Sequence, residues 1–222
     1  MAMVTRGVVV LLLVPLCSCT TQLATTCHSP LGLSDGTVKD NQLRASSSFS
    51  ATTVGALNGR LGTERGGGAW CPASLVSEET GMEEWLEIDL GREQVVTGVI
   101  TQGRFAGGQG QEFAEFVRIL VWGGEGEGWR EARDRETASV VIRANRDTHS
   151  KVEIVLEEPV ITRMVRIVPV SKHPRMVCLR VELLGCQIEG EFIFQTKQPC
   201  NFNQFCLQMV KKEQHLIRRK QM

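Results

Sequence analysis

Tyrosine is absent from the 222 residues, so no tyrosine-phosphorylation output arises from this chain. Net charge is absent as well. Lys+Arg and Asp+Glu are each 25, a balance that argues against a nucleic-acid-binding domain driven by charge. There is no Asn-x-Ser/Thr acceptor for N-glycosylation. Motifs of catalysis are missing too. None of His28, His149, His173 and His215 lies in a nucleophile motif, and neither Gly-x-Ser-x-Gly nor His-Glu-x-x-His occurs. The four histidines read as exposed loop or tail residues, and Glu83-Glu84 and Glu157-Glu158 as solvated faces. The length leaves no room for a kinase beside another folded domain. The expectation is a protein that is not an enzyme and needs no cofactor.

No apolar run reaches the roughly 20 residues of a membrane-spanning helix. The nearest is Gly7 to Leu16, which follows Arg6 and precedes the small residues Ser18 and Cys19. That order reads as a secretory signal over residues 1–24, and the expected product is secreted. Removal of the leader takes Cys17 and Cys19 and leaves six cysteines: Cys27, Cys71, Cys178, Cys186, Cys200 and Cys206. An even number suits an oxidising compartment. Zinc is the competing use, but the paired Cys-x2-Cys knuckles it favours are missing.

What is present is an all-β pattern. Hydrophobic residues make up 42% of the chain, enough for a core. Leu86, Ile88 and Leu90 alternate with Glu87 and Asp89 in the period of a half-buried strand. Val95–Ile100 is a β-branched run, and Phe116–Trp122 is apolar on both faces except at Arg118, as in a central strand. Val152, Ile154 and Leu156 predict another strand. So do Val165, Ile167 and Val170, with Pro169 marking an edge or a bulge. Leu179, Val181 and Leu183 alternate with Arg180 and Glu182. Gly-rich turns at 62–68, 107–110 and 123–128 separate these runs, which predicts a β-sandwich or barrel. Residues 187–222 differ. Phenylalanines sit among Gln and Asn, then Lys211, Lys212, Arg218, Arg219 and Lys220 follow. This segment is read as a divergent, disordered tail, with pairing of Cys200 and Cys206 left open.

Several segments carry a resemblance. They are Cys27-His-Ser-Pro-Leu-Gly32, Ala45-Ser-Ser-Ser-Phe-Ser50, Gly68-Ala-Trp-Cys-Pro72 and Trp85-Leu-Glu-Ile-Asp-Leu90. Thr101-Gln-Gly-Arg104, running into Ala106-Gly-Gly-Gln-Gly-Gln-Glu-Phe113, and Val177-Cys-Leu-Arg-Val-Glu-Leu183 with Gly185-Cys186 complete the set. In order and spacing they resemble the discoidin (coagulation factor V/VIII type C) domain family, and most specifically the collagen-binding domain of the discoidin domain receptors. The resemblance spans Cys27 to Cys186.

It implies a jelly-roll β-sandwich over residues 27–186 whose loops at one end form a ligand site. It also implies the disulfides Cys27–Cys186 and Cys71–Cys178, where cysteine arithmetic alone leaves three pairings open. Loops of roughly 160 and 105 residues would be closed, each worth about 3–5 kcal/mol in the chain-entropy model. The implied partner is fibrillar collagen. The implied roles are cell–matrix adhesion or, in a full-length receptor, tyrosine kinase signalling at the cell surface. Membrane contact would come through the missing receptor portion or weakly through the loops. Phospholipid or glycan binding by the same loops is the alternative, with Phe49 and Leu57 as the apolar spikes.

Carried over by position, the ligand-site residues are Phe49, Thr53, Gly67, Arg104, Glu112 and Met176. Apart from the resemblance, Arg104 and Glu112 would read as a surface ion pair worth about 0–1 kcal/mol. Trp70 is expected to pack beside the Cys71 bridge rather than touch a ligand. Two positions depart from the receptors, which carry tryptophan in place of Phe49 and aspartate in place of Gly67. The expectation is a weakened or retuned site, in which restoring both residues strengthens binding. The match stops near Cys186, so the chain reads as a truncated or alternatively spliced product, or an incomplete gene model.

Overall fold

The structure, a computed structural model, describes residues 27–79 and 82–188. The expected leader and nearly all of the expected tail, including Cys200 and Cys206, lie outside the described residues. Eight strands are formed among the described residues: β1 (Ser29–Pro30), β2 (Leu43–Ala45), β3 (Leu86–Gln102), β4 (Phe116–Trp122), β5 (Trp129–Glu131), β6 (Ile142–Arg143), β7 (Val152–Val170) and β8 (Arg180–Gln187). All pairings between these strands are antiparallel. The order is β1-β8-β3-β7-β4-β5, with β2 also on β3 and β6 also on β4.

Two strands are long because each serves both layers of the jelly-roll sandwich. The first part of β3, Leu86 to Asp89, lies between β2 and the end of β7. Its later part, Gln94 to Thr101, lies between β8 and the start of β7. The register shifts between Asp89 and Gln94 and again between Val96 and Gly98, and such irregularities let a strand turn from one layer into the other. The runs at 86–90 and 95–100 are therefore one strand, as are those at 152–156 and 165–170. Pro169 sits past Ile167, the last β7 residue paired with β3, where β4 is the remaining ladder neighbour. A residue without an N–H is tolerated there.

One core joins the layers. Leu86, Ile88, Ile119, Val121, Val165 and Ile167 from one half pack in the same cluster as Val99, Ile154, Leu156, Leu179, Val181 and Leu183 from the other. Disulfides fix two places on this frame. Cys27–Cys186 joins the start of the domain to β8, with Cα atoms 4.9 Å apart, and Cys71–Cys178 joins two loops at the opposite end of β8.

The alternation at 179–183 has a different meaning from the one its period suggests. Arg180 and Glu182 do not face solvent; each is 1% exposed. Buried charges need partners, and both have them. The Glu182 carboxylate accepts from the backbone N–H groups of Leu33 (3.1 Å), Ser34 (2.7 Å) and Leu183 (3.0 Å). Glu84 is also buried rather than solvated, accepting from the hydroxyls of Ser46 and Ser47. His28 is no loose loop residue either. Its ring bonds Thr97 Oγ1 at 2.7 Å and Glu153 Oε1 at 2.9 Å.

Candidate functional site

The loops at the Cys71–Cys178 end are stitched to one another by main-chain bonds. In the first loop, the Phe49 N–H donates to Cys71 O at 3.0 Å, while Val54 O accepts from the Cys71 N–H at 3.1 Å. In the second, the Gly67 N–H donates to Thr53 O at 2.6 Å. Trp70 anchors both. It is fully buried, pairs with Leu179 through its backbone, and donates from Nε1 to Ser47 O at 2.9 Å. Trp70 is thus a packing residue that sets the height of the two loops.

The third loop, 104–112, is closed at its ends by the Arg104 N–H donating to Glu112 O at 2.9 Å. Within it, Gly108 and Gly110 both donate to Phe105 O. A Cβ at Gly110 would overlap the Arg104 carbonyl, so the tight return of this loop requires glycine there.

Between the three loops lies a cleft of about 320 Å³. Its lining contains all six residues singled out in the sequence: Phe49, Thr53, Gly67, Arg104, Glu112 and Met176. Val54 and the Cys71–Cys178 bridge complete the lining. Phe49 is 69% exposed, and Met176 is half-buried. The cleft therefore has apolar walls and one charged edge.

That edge is Arg104. Its Nε donates to Gly67 O at 2.6 Å and its Nη1 to Glu112 Oε2 at 2.8 Å. Partial burial works to raise the Glu112 pKa. The Arg104 guanidinium and the Gln111 N–H oppose it, and the net result is a carboxyl below its ordinary value. Glu112 is an anion at neutral pH, and its pair is only partly hydrated, with side chains 26% and 30% exposed.

The expectation for Gly67 needs correction. No aspartate is required to hold Arg104, because Glu112 and the Gly67 carbonyl already do so. Nor is there room for one. A Cβ at Gly67 would lie 2.5 Å from Val54 Cγ1 and 3.0 Å from Thr53 O. The list of apolar spikes also widens. Besides Phe49 and Leu57, the side chains of Leu75, Met82 and Phe105 are exposed.

Sequence reading missed the residue that holds the rear of these loops. Arg180, at the start of β8, donates from Nε to Gly103 O at 2.7 Å and from Nη1 to Thr63 O at 2.8 Å. Nη2 donates to Thr148 O at 3.2 Å, and Nη1 also meets Glu64 Oε1 at 2.6 Å. Burial holds the Arg180 pKa below its ordinary value, and Glu64 offsets only part of that effect. Glu64 Oε2 then accepts from the Gly107 N–H at 3.2 Å, which ties the second loop to the third. The available signal is a long cation between Leu179 and Val181 in a segment whose apolar residues all belong to the core.

Among the described residues, no group of three or more His, Cys, Asp or Glu is placed to hold a metal ion. The cleft lining has no Ser, Lys or His, and its two cysteines are bonded to each other. Its chemistry is that of recognition: apolar contact, plus charge-assisted hydrogen bonds from a fixed guanidinium.

The F5/8 type C domain family matches residues 42–183. Among curated relatives, discoidin domain-containing receptor tyrosine kinase B of Caenorhabditis elegans is 38% identical over 168 residues, 76% of this chain and 21% of that protein. Epithelial discoidin domain-containing receptor 1 of Homo sapiens is 42% identical over 160 residues, 72% of this chain and 17% of that protein. Lactadherin of Mus musculus is 35% identical over 165 residues, 72% of this chain and 34% of that protein. The chain therefore spans 17–34% of the length of these relatives. Discoidin II of Dictyostelium discoideum shares the fold, with a TM-score of 0.53 at 21% identity over 66% of this chain and 55% of that one. The chain belongs to the F5/8 type C (discoidin) domain family, and the matched region is a binding domain rather than a catalytic fold.

Proposed function

We propose that this member of the discoidin family is an extracellular collagen-binding module and that its three-loop cleft receives the triple helix. The observation that carries this reading is the convergence of Phe49, Thr53, Gly67, Arg104, Glu112 and Met176 on one cleft. Their positions match the ligand loops of the collagen-binding receptors that the sequence resembles. Collagen presents side chains outward from three extended strands. An apolar side chain of one strand enters between Phe49, Val54 and Met176. Arg104, held by Glu112, bonds a carbonyl or carboxylate beside it.

Residues 27–186 form the working unit in this proposal, with a secretory leader at 1–24 and the segment 187–222 outside it. The two disulfides suit an extracellular setting. In a full-length receptor such a module would serve cell–matrix adhesion and kinase signalling.

A second reading, binding to anionic phospholipid or to glycan through the same loops, draws on the likeness to lactadherin and on the exposure of Phe49 and Phe105. A solid-phase assay on native and heat-denatured collagen, beside a vesicle pull-down, separates the two. Binding to native but not denatured collagen is expected. Equal binding to both removes the triple-helix reading. Vesicle binding without collagen binding promotes the second.

A further inference from the structure

Next to the cleft lies a second groove, of about 270 Å³, built from three separate parts of the chain. Its lining is Phe113, Glu115, Phe116, Arg143, Asn145, Arg146 and Lys172. Strand register explains the assembly. Phe116 in β4 faces Arg143 in β6 on one side and Val170 in β7 on the other. Lys172 lies two residues beyond Val170, just past the end of β7, and its ammonium reaches back over the Phe116 ring.

The cations are held in place. Arg143 lies 5.7 Å and Lys172 Nζ 5.6 Å from the Phe116 ring centroid. Arg175 lies 4.7 Å from that of Phe113 and is neutralised by Glu115 at 3.3 Å. Arg143, Arg146 and Lys172 are exposed, and none has an ion-pair partner among the described residues. Three unneutralised cations thus share one groove in a chain with no net charge. At its floor Asn145 is 1% exposed. Its Nδ2 donates to Thr101 O and Ser150 O, and its Oδ1 has no protein partner.

We propose that this groove binds a sulfated polysaccharide. A ring beneath a guanidinium or ammonium limits its motion and leaves its donors free for an anion. Sulfate oxygens accept such donors as phosphate oxygens do. A lipid surface fits less well, because a membrane-inserting site needs apolar side chains at its rim. The exposed large apolar residues of the described chain are Phe49, Leu57, Leu75, Met82 and Phe105, and none lines this groove. The disulfides suit an extracellular setting, where sulfated glycans are the abundant polyanions. The groove is separate from the cleft yet borders it. Glu112 and Met176 line the cleft, while their chain neighbours Phe113 and Arg175 flank the groove.

The test uses the full chain, so that the basic residues near its C-terminus are constant. Binding to immobilised heparin is compared for the parent, a groove variant (Arg143→Gln, Arg146→Gln, Lys172→Gln) and a charge-matched control (Arg44→Gln, Arg130→Gln, Lys151→Gln). The groove variant is expected to lose roughly tenfold or more in affinity, and the control to change little. On the parent, hydrogen exchange with heparin bound should slow around residues 143–146 and 172–175, which needs no variant to fold. Fully desulfated heparin should give neither effect. Equal loss in both variants, no slowed exchange at the groove, or a parent that ignores heparin would overturn the proposal. So would a groove variant that keeps heparin but loses vesicles of phosphatidylserine in phosphatidylcholine. Collagen binding by the groove variant should be retained, which keeps this result separate from the reading of the cleft.

Discussion

Arg104 and Glu112 are joined twice, once through the main chain at 2.9 Å and once through the side chains at 2.8 Å. The two bonds close the third loop like a clasp, and the guanidinium reaches across to Gly67 in the second. A residue placed in this way is fixed before any ligand arrives, so binding need not order it.

Replacing Arg104 by alanine is expected to weaken binding to native collagen by about 1.5–3 kcal/mol, the scale of a hydrogen bond to a charged group. The melting temperature should fall only slightly, because partly exposed ion pairs contribute little to stability. Arg104→Lys should lose binding too, since one ammonium cannot serve both Gly67 O and Glu112 in the same geometry. Solid-phase titration and thermal melts check both. Unchanged binding by Arg104→Ala would remove this residue from the site.

The acid limb of the binding curve follows from Glu112. Its folded pKa lies below the ordinary 4.5, so the stabilisation is present above that value and is lost as pH falls through the lower folded one. Binding should be level from neutrality to about pH 5 and decline only in stronger acid. Glu112→Gln should reduce affinity at neutral pH and flatten that acid limb. A parent curve that breaks near pH 6 would assign the titration to another group.

The two departures from the receptors are expected to act in opposite directions. Phe49 is exposed at the cleft, so Phe49→Trp has room and adds apolar contact; native collagen should bind more tightly. Gly67→Asp forces a Cβ against Val54 and the Thr53 carbonyl. Its expected cost is about 1–3 kcal/mol of stability, the scale of overpacking, with weaker binding. Val54→Ala in the same chain should recover part of that loss in a double-mutant cycle. Stronger binding by Gly67→Asp, with an unchanged melt, would show that the loop relaxes freely.

Arg180→Met removes one cation and leaves three loop carbonyls and Glu64 without it. Breaking a buried charged network typically costs about 3–5 kcal/mol. Glu64 is partly hydrated, which places the expected loss at the lower end. Hydrogen exchange should quicken around 63–64, 103–107 and 148, and collagen binding should fall although Arg180 does not line the cleft. Normal exchange in those loops would show that they are held by other means.

The strands were legible where a simple period decides them. The apolar run Phe116–Trp122 coincides with β4 residue for residue. Long β3 and β7 each look like two strands in the sequence, since a register shift at a bulge interrupts the pattern without ending the strand. Period failed at Arg180 and Glu182, where alternation normally marks a wet face and here marks buried charges bonded to backbone. The six cleft residues came from resemblance. No spacing links Phe49 to Met176 until the fold brings them together. The basic groove leaves no mark in the sequence, because Phe116, Arg143 and Lys172 become neighbours only once β4, β6 and the end of β7 are paired.

Every neutral acceptor that Arg180 holds is a main-chain carbonyl, at Thr63, Gly103 and Thr148. Carbonyls are present whatever side chain the loop carries. Substitutions along these loops can therefore alter the rim of the cleft without removing the strut behind it. Libraries that vary the exposed loop side chains while keeping Arg180, Glu64, Trp70, Gly67, Gly110 and loop length should therefore yield folded proteins with new preferences.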